Sequence, residues 1–168
     1  MIETIGEPCE ALWRFSLAFY ERPGVAEALV AMQDHQGCDV NLMLFCLWHG
    51  VSGRSRLTNE QLLIADQIAR PMRTEIVEPL RALRRKLRSD ADADVQRLRE
   101  GVKALEFAAE RVIQDRLARL ARPPGSDPDP DRCVTAAHAN LAFYLGPEKT
   151  RSPEAATIRE ALAAFVRD

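Results

Sequence analysis

The chain has 168 residues, of which 46% are hydrophobic and 29% are charged, with a formal net charge of -2. This size suits one globular domain with a sizeable core, and the near-neutral charge excludes a global attraction to nucleic acid or membrane. The longest apolar run, Leu42 to Trp48, is too short to span a bilayer, and the acidic N-terminus lacks the pattern of a signal peptide, so we predict a soluble cytoplasmic protein.

The first part of the chain predicts two amphipathic helices. Pro8 suits the first turn of a helix that runs to about Tyr20, and the RPG tripeptide at residues 22–24 ends it. A second helix is predicted from Val25 to His35, and Gly37 closes it, as glycine often does after a helix C-terminus.

The stretch Leu42 to Trp48 predicts the centre of the fold. It is apolar on all sides, so a short helix here must be surrounded by the others. Asp39 precedes it and is predicted to cap its N-terminus by accepting hydrogen bonds from free backbone amides. His49 and Gly50 are predicted to end it, because a cation is favoured at that end and glycine commonly follows a helix.

A fourth helix and a long helical hairpin are predicted next. Thr58 and Gln61 fit a capping box, and the helix that they begin is predicted to end at Pro71. The following segment, with Pro79 as a kink or restart, makes one arm of the hairpin. Its predicted inward face carries four apolar residues: Ile76, Leu80, Leu83 and Leu87.

The second arm of the hairpin is a long helix from about Asp92 to Ala121. Its apolar residues are spaced nearly as a heptad. This spacing favours packing against the first arm within the same domain, and a dimerising coiled coil is left open as the alternative.

Two more helices are predicted after a break in the pattern. Residues 123–132 are rich in proline and aspartate and predict a linker or loop between a main helical domain, 1–122, and a C-terminal helical pair, 133–168, that packs on it. No strand alternation is found. We therefore predict an all-α, single-domain bundle of about seven or eight helices around a short apolar central helix.

Four arginines on the first arm suggest an anion-binding stripe, because a guanidinium fork matches phosphate oxygens. Its members are Arg81, Arg84, Arg85 and Arg88. The favoured alternative is a solvated stripe, or one neutralised by the aspartates at residues 90–94. No aromatic residue lies between Pro71 and Gly101, so single-stranded nucleic acid is a poor fit.

Polar residues near the start of the central helix suggest a ligand pocket. Asp39 is explained by capping, but its neighbours are not explained so easily, and Asp34, His35 and Asp39 would be the place to look for acid-base chemistry. Pairing of Arg14 with Asp34 or Asp39 is the structural alternative. The pocket candidates are Arg14, Gln33, Asp34, His35, Asp39 and Asn41.

No metal or cofactor is predicted. The four cysteines form no C-x-x-C pair and are expected to be buried free thiols. Cys46, His49 and Asp39 share one helical face, which is a weak metal pattern because one helix rarely supplies a whole site. The sequence contains no phosphate-binding loop, H-E-x-x-H motif or nucleophile elbow, so it leans away from an enzyme.

Leu12 to Gly50 resembles a proteobacterial family of uncharacterised proteins, a domain of unknown function. The resemblance rests on "WRFS" at Trp13, on Tyr20 and the following "PGV", on Gln33, Asp34 and Gly37, and on "DVNL" followed by "FCLW". It implies a bacterial cytoplasmic protein and no particular chemistry. It also implies that five of the pocket candidates belong to a pattern that the family shares: Arg14, Gln33, Asp34, Asp39 and Asn41.

Three functions remain open. The favoured one is a non-catalytic protein-interaction or assembly module with a protein partner or a homodimer. The second is a small-molecule-binding protein or enzyme with a polar pocket around Arg14, Asp34, Asp39 and Asn41. The third is polyanion or nucleic-acid binding through the stripe from Arg81 to Arg88.

Overall fold

The computed structural model describes residues 7–54, 56–125 and 129–167, and confirms the all-α, single-domain prediction. Within these ranges the chain forms eight α-helices and no strand. They are α1 (Glu7–Tyr20), α2 (Val25–Gln36), α3 (Val40–His49), α4 (Asn59–Met72), α5 (Glu78–Lys86), α6 (Ala93–Ala118), α7 (Pro130–Lys149) and α8 (Pro153–Arg167).

The central position of α3 is confirmed. All ten of its residues are buried, and α1, α2, α4, α6 and α7 contact it. The cap is confirmed as well, since Asp39 Oδ1 accepts hydrogen bonds from the backbone amides of Asn41 (2.8 Å) and Leu42 (3.3 Å). The most apolar helix is thus enclosed, and its polar first turn is held in place.

α3 ends at His49 with Gly50 next, as predicted, but the chain does not turn into a loop there. The helix continues as a π-helical segment, Gly50–Arg54, that ends where Gly53 adopts φ 76°. Gly50 itself is right-handed helical, at φ -69°. A Cβ atom at Gly50 would lie 2.2 Å from the backbone nitrogen of Ala137, so glycine is needed here for close approach of α7 and not as a stop.

The fourth helix ends at Met72, one residue beyond Pro71, close to the predicted end. No loop follows it, because a second π-helical segment, Arg73–Val77, connects α4 directly to α5. The Thr74 hydroxyl donates to the Arg70 carbonyl oxygen (3.0 Å) in this stretch.

This π segment also changes which face of α5 points inward. An uninterrupted helix in phase with the buried Ala65 and Ala69 would bury Ile76 and Leu83. The extra residue moves that phase by one position. Val77 is buried instead, while Ile76 and Leu83 are 43% and 42% exposed. The predicted inward face is therefore wrong for Ile76 and Leu83, whereas Leu80 and Leu87 are half-buried. The predicted solvent-facing stripe is wrong for the half-buried Arg81 and Arg84, whereas Arg85 and Arg88 are exposed.

The remaining elements complete the bundle around α3. α5 and α6 form the predicted hairpin, α7 packs on α3, and α8 packs on α2. α7 begins at Pro130, inside the predicted linker, with Asp129 as its cap. The Ser152 hydroxyl accepts from the Ala155 amide (3.1 Å), as predicted for the start of α8. In the described ranges, no helix is long and apolar enough to cross a bilayer.

Candidate ligand-binding cleft

A cleft of about 500 Å³ opens between α1, α5 and α6. We call it the α1–α6 cleft. Its apolar wall is formed by Trp13, Leu17, Tyr20, Val30, Val40, Leu44 and Phe107. Its polar and charged lining is formed by Ser16, Glu21, Gln33, Asn41, Arg81, Arg84, Arg85, Lys103, Glu106, Glu110 and Gln114.

The inner side of the cleft carries a hydrogen-bonded chain of three buried polar side chains. The Ser16 hydroxyl donates to Gln114 Oε1 (3.0 Å), and Gln114 Nε2 donates to Asn41 Oδ1 (3.0 Å). The chain links α1, α6 and α3. Because buried polar groups are costly without partners, these bonds hold the three side chains in fixed orientations.

The charged wall is built on two carboxylates one turn apart on α6. Glu106 accepts from Arg81 Nε (2.9 Å) and from Arg84 Nε (2.5 Å), and Glu110 accepts from Arg81 Nη2 (2.9 Å). The side chains of Arg81 and Glu106 are only 14% and 8% exposed. This network joins α5 to α6 across the cleft.

The two carboxylates have pKa values shifted in opposite directions. Burial alone would raise the pKa of Glu106, but hydrogen bonds from Arg84 and Arg81 outweigh it and lower that pKa. Burial raises the pKa of Glu110, and Arg81 only partly opposes the shift. The pKa of Tyr20 is raised by burial and by the nearby charge of Glu110. Glu106 is therefore firmly ionised, while Glu110 takes up a proton more readily.

The cleft lining has a small excess of positive charge. Four cations, Arg81, Arg84, Arg85 and Lys103, face three carboxylates: Glu21, Glu106 and Glu110. The raised pKa of Glu110 increases this excess as the pH falls. This excess counts the lining residues alone, and Asp34, which lies outside the lining, pairs with Arg85 and offsets it.

Exposed apolar side chains surround the mouth of the cleft. Phe107, Leu17 and Val30 are 50%, 42% and 41% exposed. Phe107 lies edge-on to Trp13, with ring centroids 4.8 Å apart. An apolar rim beside charged and amide groups suits a ligand with both an apolar and a polar part.

The predicted pocket residues separate into three groups. Gln33 and Asn41 line the α1–α6 cleft. Asp39 is buried beneath the start of α3, where Oδ2 lies 2.6 Å from Arg73 Nη1 and its backbone amide donates to the Tyr144 hydroxyl (2.8 Å).

The other three candidates lie on the exposed surface. The predicted pairing of Arg14 with Asp34 or Asp39 is wrong, since Arg14 extends into solvent with Nε 3.8 Å from Glu10. Both Asp34 and His35 are exposed on α2. Asp34 Oδ1 and Oδ2 each lie 2.8 Å from Arg85 Nη2, and this hydrogen bonding lowers the pKa of Asp34.

The predicted arginine stripe is divided between the cleft and the surface. Arg81, Arg84 and Arg85 line the cleft and pair with Glu106, Glu110 and Asp34, and not with the aspartates at residues 90–94. Arg88 is exposed after the end of α5. The pocket and the anion-binding hypotheses thus share one location.

Six polar or charged residues of the cleft were not predicted from the sequence: Ser16, Glu21, Lys103, Glu106, Glu110 and Gln114. A pattern on α6 could have indicated two of them. Glu106 and Gln114 stand among Val102, Ala109 and Ile113 on the buried side of the helix. Polar residues at such positions need partners, and those partners lie on other helices.

The weak metal pattern does not form a cluster. Asp39 and His49 lie at opposite ends of α3, and Cys46 is buried in the core, which raises its pKa. All four cysteines are buried free thiols, as predicted. In the part of the chain that the structure describes, no group of three His, Cys, Asp or Glu side chains could hold a metal ion.

Comparison with known proteins gives one match. A family model described as "Protein of unknown function (DUF2390)" matches residues 11–117. This range contains all the lining residues of the α1–α6 cleft and extends well beyond the stretch that carried the sequence resemblance. No curated protein and no solved structure matches the chain.

Proposed function

Because the chain belongs to the DUF2390 family of proteins of unknown function, we propose a function from the cleft itself: the protein binds a small amphipathic organic anion in the α1–α6 cleft. The observation that carries the proposal is the combination of an apolar wall, a fixed polar chain and half-buried arginines in one cavity. All of these groups lie within the residues that the family model matches.

The size of the cleft supports a small ligand. Its volume of about 500 Å³ falls within the range of small-molecule sites, which are mostly apolar with a few convergent polar groups. The Ser16–Gln114–Asn41 chain supplies such polar groups in fixed positions. A ring-sized apolar body would lie against Trp13 and Phe107.

The charge of the cleft supports an anion. Arginine binds carboxylate and phosphate oxygens through paired N–H donors, and Arg84 and Arg85 line the cleft with Lys103. An extended polyanion is less well supported. Arg81 and Arg84 are turned towards α6, with side chains only 14% and 26% exposed.

We also retain the predicted bacterial origin and cytoplasmic location as proposals. The four free thiols support a reducing compartment. The interaction hypothesis is supported by a separate surface on α6, where Leu98, Leu105 and Val112 are exposed.

Fluorescence titration with two related probes tests the proposal. Anilinonaphthalene sulfonate is an amphipathic anion, and N-phenylnaphthylamine is a neutral probe of similar size. We expect saturable binding of one sulfonate molecule per chain and binding of the neutral probe that is weaker by about tenfold, the equivalent of one charge-assisted contact. Equal affinity for the two probes would overturn the assignment of an anion.

Matched variants locate the binding site. Val30→Trp narrows the mouth of the cleft and Arg84→Gln removes a cation, so both should weaken sulfonate binding. Leu63→Trp and Arg97→Gln change exposed residues outside the cleft, so these two variants should bind the sulfonate as well as the wild type does. If Val30→Trp and Arg84→Gln bind as well as the wild type while keeping its helical circular dichroism, the cleft is not the site.

A further inference from the structure

The outer face of α6 carries an apolar strip that no described part of the chain covers. Leu98, Leu105 and Val112 are 58%, 60% and 39% exposed. They flank the buried side of α6, since at about 100° per residue Leu98 and Leu105 lie only about 40° around the helix from the buried Val102 and Ala109. The apolar surface of this 26-residue helix is thus wider than the part that the domain buries.

The strip is straight, and a second helix can pack close to it. Its five positions are spaced three, four, three and four residues apart, which keeps them on one line along a helix that packs against another. We call them the α6 seam: Leu98, Gly101, Leu105, Ala108 and Val112. Two of its members, Gly101 and Ala108, are small and allow a second backbone to come near.

We propose that the α6 seam binds a second copy of the chain in an antiparallel contact, with the two-fold axis near Leu105. Leu98 and Val112 are equally distant from Leu105 in sequence, so the axis places each against the other in the second copy. A two-fold interface must be self-complementary in this way.

The charges at the ends of the seam favour the antiparallel arrangement. Asp94 is exposed at the N-terminal end, and Arg116 is exposed eleven residues beyond Leu105 at the C-terminal end. Asp94 stands the same eleven residues before Leu105. An antiparallel pair therefore sets each Asp94 against Arg116 of the second copy, whereas a parallel pair would bring like charges together.

The seam is independent of the α1–α6 cleft. Lys103, Glu110 and Gln114 line the cleft from the other side of α6. A substitution in the seam leaves the cleft lining intact, so a variant that no longer dimerises should still bind the sulfonate. The dimer does not rest on the proposed ligand.

Sedimentation equilibrium of the full chain is the first test. We expect a species of twice the 18.8 kDa chain mass at micromolar concentrations. Leu105→Glu places two carboxylates at the axis and removes two buried leucines, and should weaken dimerisation by roughly a hundredfold or more. Leu63→Glu, equally exposed but on α4, should leave the dimer unchanged. A wild-type chain that stays monomeric up to millimolar concentrations would overturn the proposal.

Cysteine crosslinking under mild oxidation tests the geometry. In an antiparallel pair only the residue nearest the axis meets its own copy, so Leu105→Cys should form a disulfide-linked dimer alone. Leu98→Cys and Val112→Cys should crosslink only when the two variants are mixed. Self-crosslinking of all three variants would indicate a parallel pair, and no crosslinking of any of them would place the contact elsewhere; either result contradicts the proposal.

A charge exchange tests the ends of the seam. Arg116→Asp should weaken the dimer because it faces Asp94 of the second copy, and the double variant Asp94→Arg/Arg116→Asp should restore it. A double variant that dimerises no better than Arg116→Asp would be evidence against this pairing.

Discussion

Asp39 and Arg73, 34 residues apart in sequence, form an ion pair at the buried start of the central helix, with 2.6 Å between Oδ2 and Nη1. The other carboxylate oxygen of Asp39 caps α3. This ion pair holds the π-helical segment Arg73–Val77 against the N-terminus of α3, the central helix. Burial works against the charge of Arg73, but the hydrogen bond to Asp39 outweighs it and raises the arginine's pKa.

Two substitutions separate the roles of Asp39. Asn is also a good cap, so Asp39→Asn loses mainly the charge and should cost roughly 2–3 kcal/mol of unfolding free energy, since it leaves Arg73 with only its more exposed partners. Asp39→Ala should cost about 1 kcal/mol more because the cap is lost as well. Urea unfolding measures both. Equal stability of the two variants would mean that the cap contributes nothing.

Glu106→Gln should lower stability in a manner that depends on pH. The pKa of Glu106 is below its ordinary value of 4.5 in the folded protein, so its ionised form stabilises the fold above that value, and the effect is lost as the pH falls through the folded pKa. We expect a loss of roughly 3 kcal/mol at neutral pH. The difference in melting temperature between Glu106→Gln and the wild type should disappear below pH 4.5.

The exposed Glu100 provides the control for Glu106. Its side chain is 60% exposed and pairs only with surface cations, so Glu100→Gln should change the unfolding free energy by less than about 1 kcal/mol. A constant difference between Glu106→Gln and the wild type from neutral pH down to pH 3 or so would contradict the proposed charge network.

Binding of the sulfonate probe should strengthen as the pH falls through the raised pKa of Glu110. Protonation removes a negative charge from a cleft in which Arg81, Glu106 and Tyr20 also face this residue. Glu110→Gln should bind with the higher affinity throughout and should lose this pH dependence. Titrations of both proteins between pH 7 and about 4.5, above the range in which Glu106 is protonated, measure the effect. The same pH dependence in both proteins would exclude Glu110 as its source.

Gly50→Ala should destabilise the fold by more than about 3 kcal/mol, because a Cβ atom would lie 2.2 Å and 2.3 Å from backbone atoms of Ala137. Adding Ala137→Gly should not restore stability, since the clash is with the backbone. Gly101→Ala meets nothing within 4 Å and should stabilise α6 by about 0.5–1 kcal/mol. Urea unfolding at one protein concentration compares Gly50→Ala, the double variant with Ala137→Gly, and Gly101→Ala. If Ala137→Gly restored the stability of Gly50→Ala, α7 would have shifted to make room for the added methyl group.

Features set by residues within one or two turns were predictable from the sequence. The Gly37 helix end, the Asp39 cap and the capping box from Thr58 to Gln61 are all present. Each depends on a hydrogen bond or a backbone angle within a few residues, so it can be read without knowing the fold.

Features set by distant parts of the chain were not predictable. α3 and α4 end next to Gly50 and Pro71, but π-helical segments follow both helices where their sequences indicate breaks. The cleft depends on Ser16, Asn41 and Gln114 meeting from three helices, with sequence separations of up to 98 residues. Patterns within a single sequence do not specify which distant side chains will be in contact.

The π segment at Arg73–Val77 bears on how this protein tolerates changes in length. One extra residue in a helix turns everything after it by about 100°. Removing one residue from this segment would let an ordinary α-helix join α4 to α5 without turning α5, so that Val77 stayed buried and Arg84 still faced α6. A single-codon deletion here would thus leave the charged cleft in place, whereas the same deletion in the regular part of α4 would rotate α5 against α6.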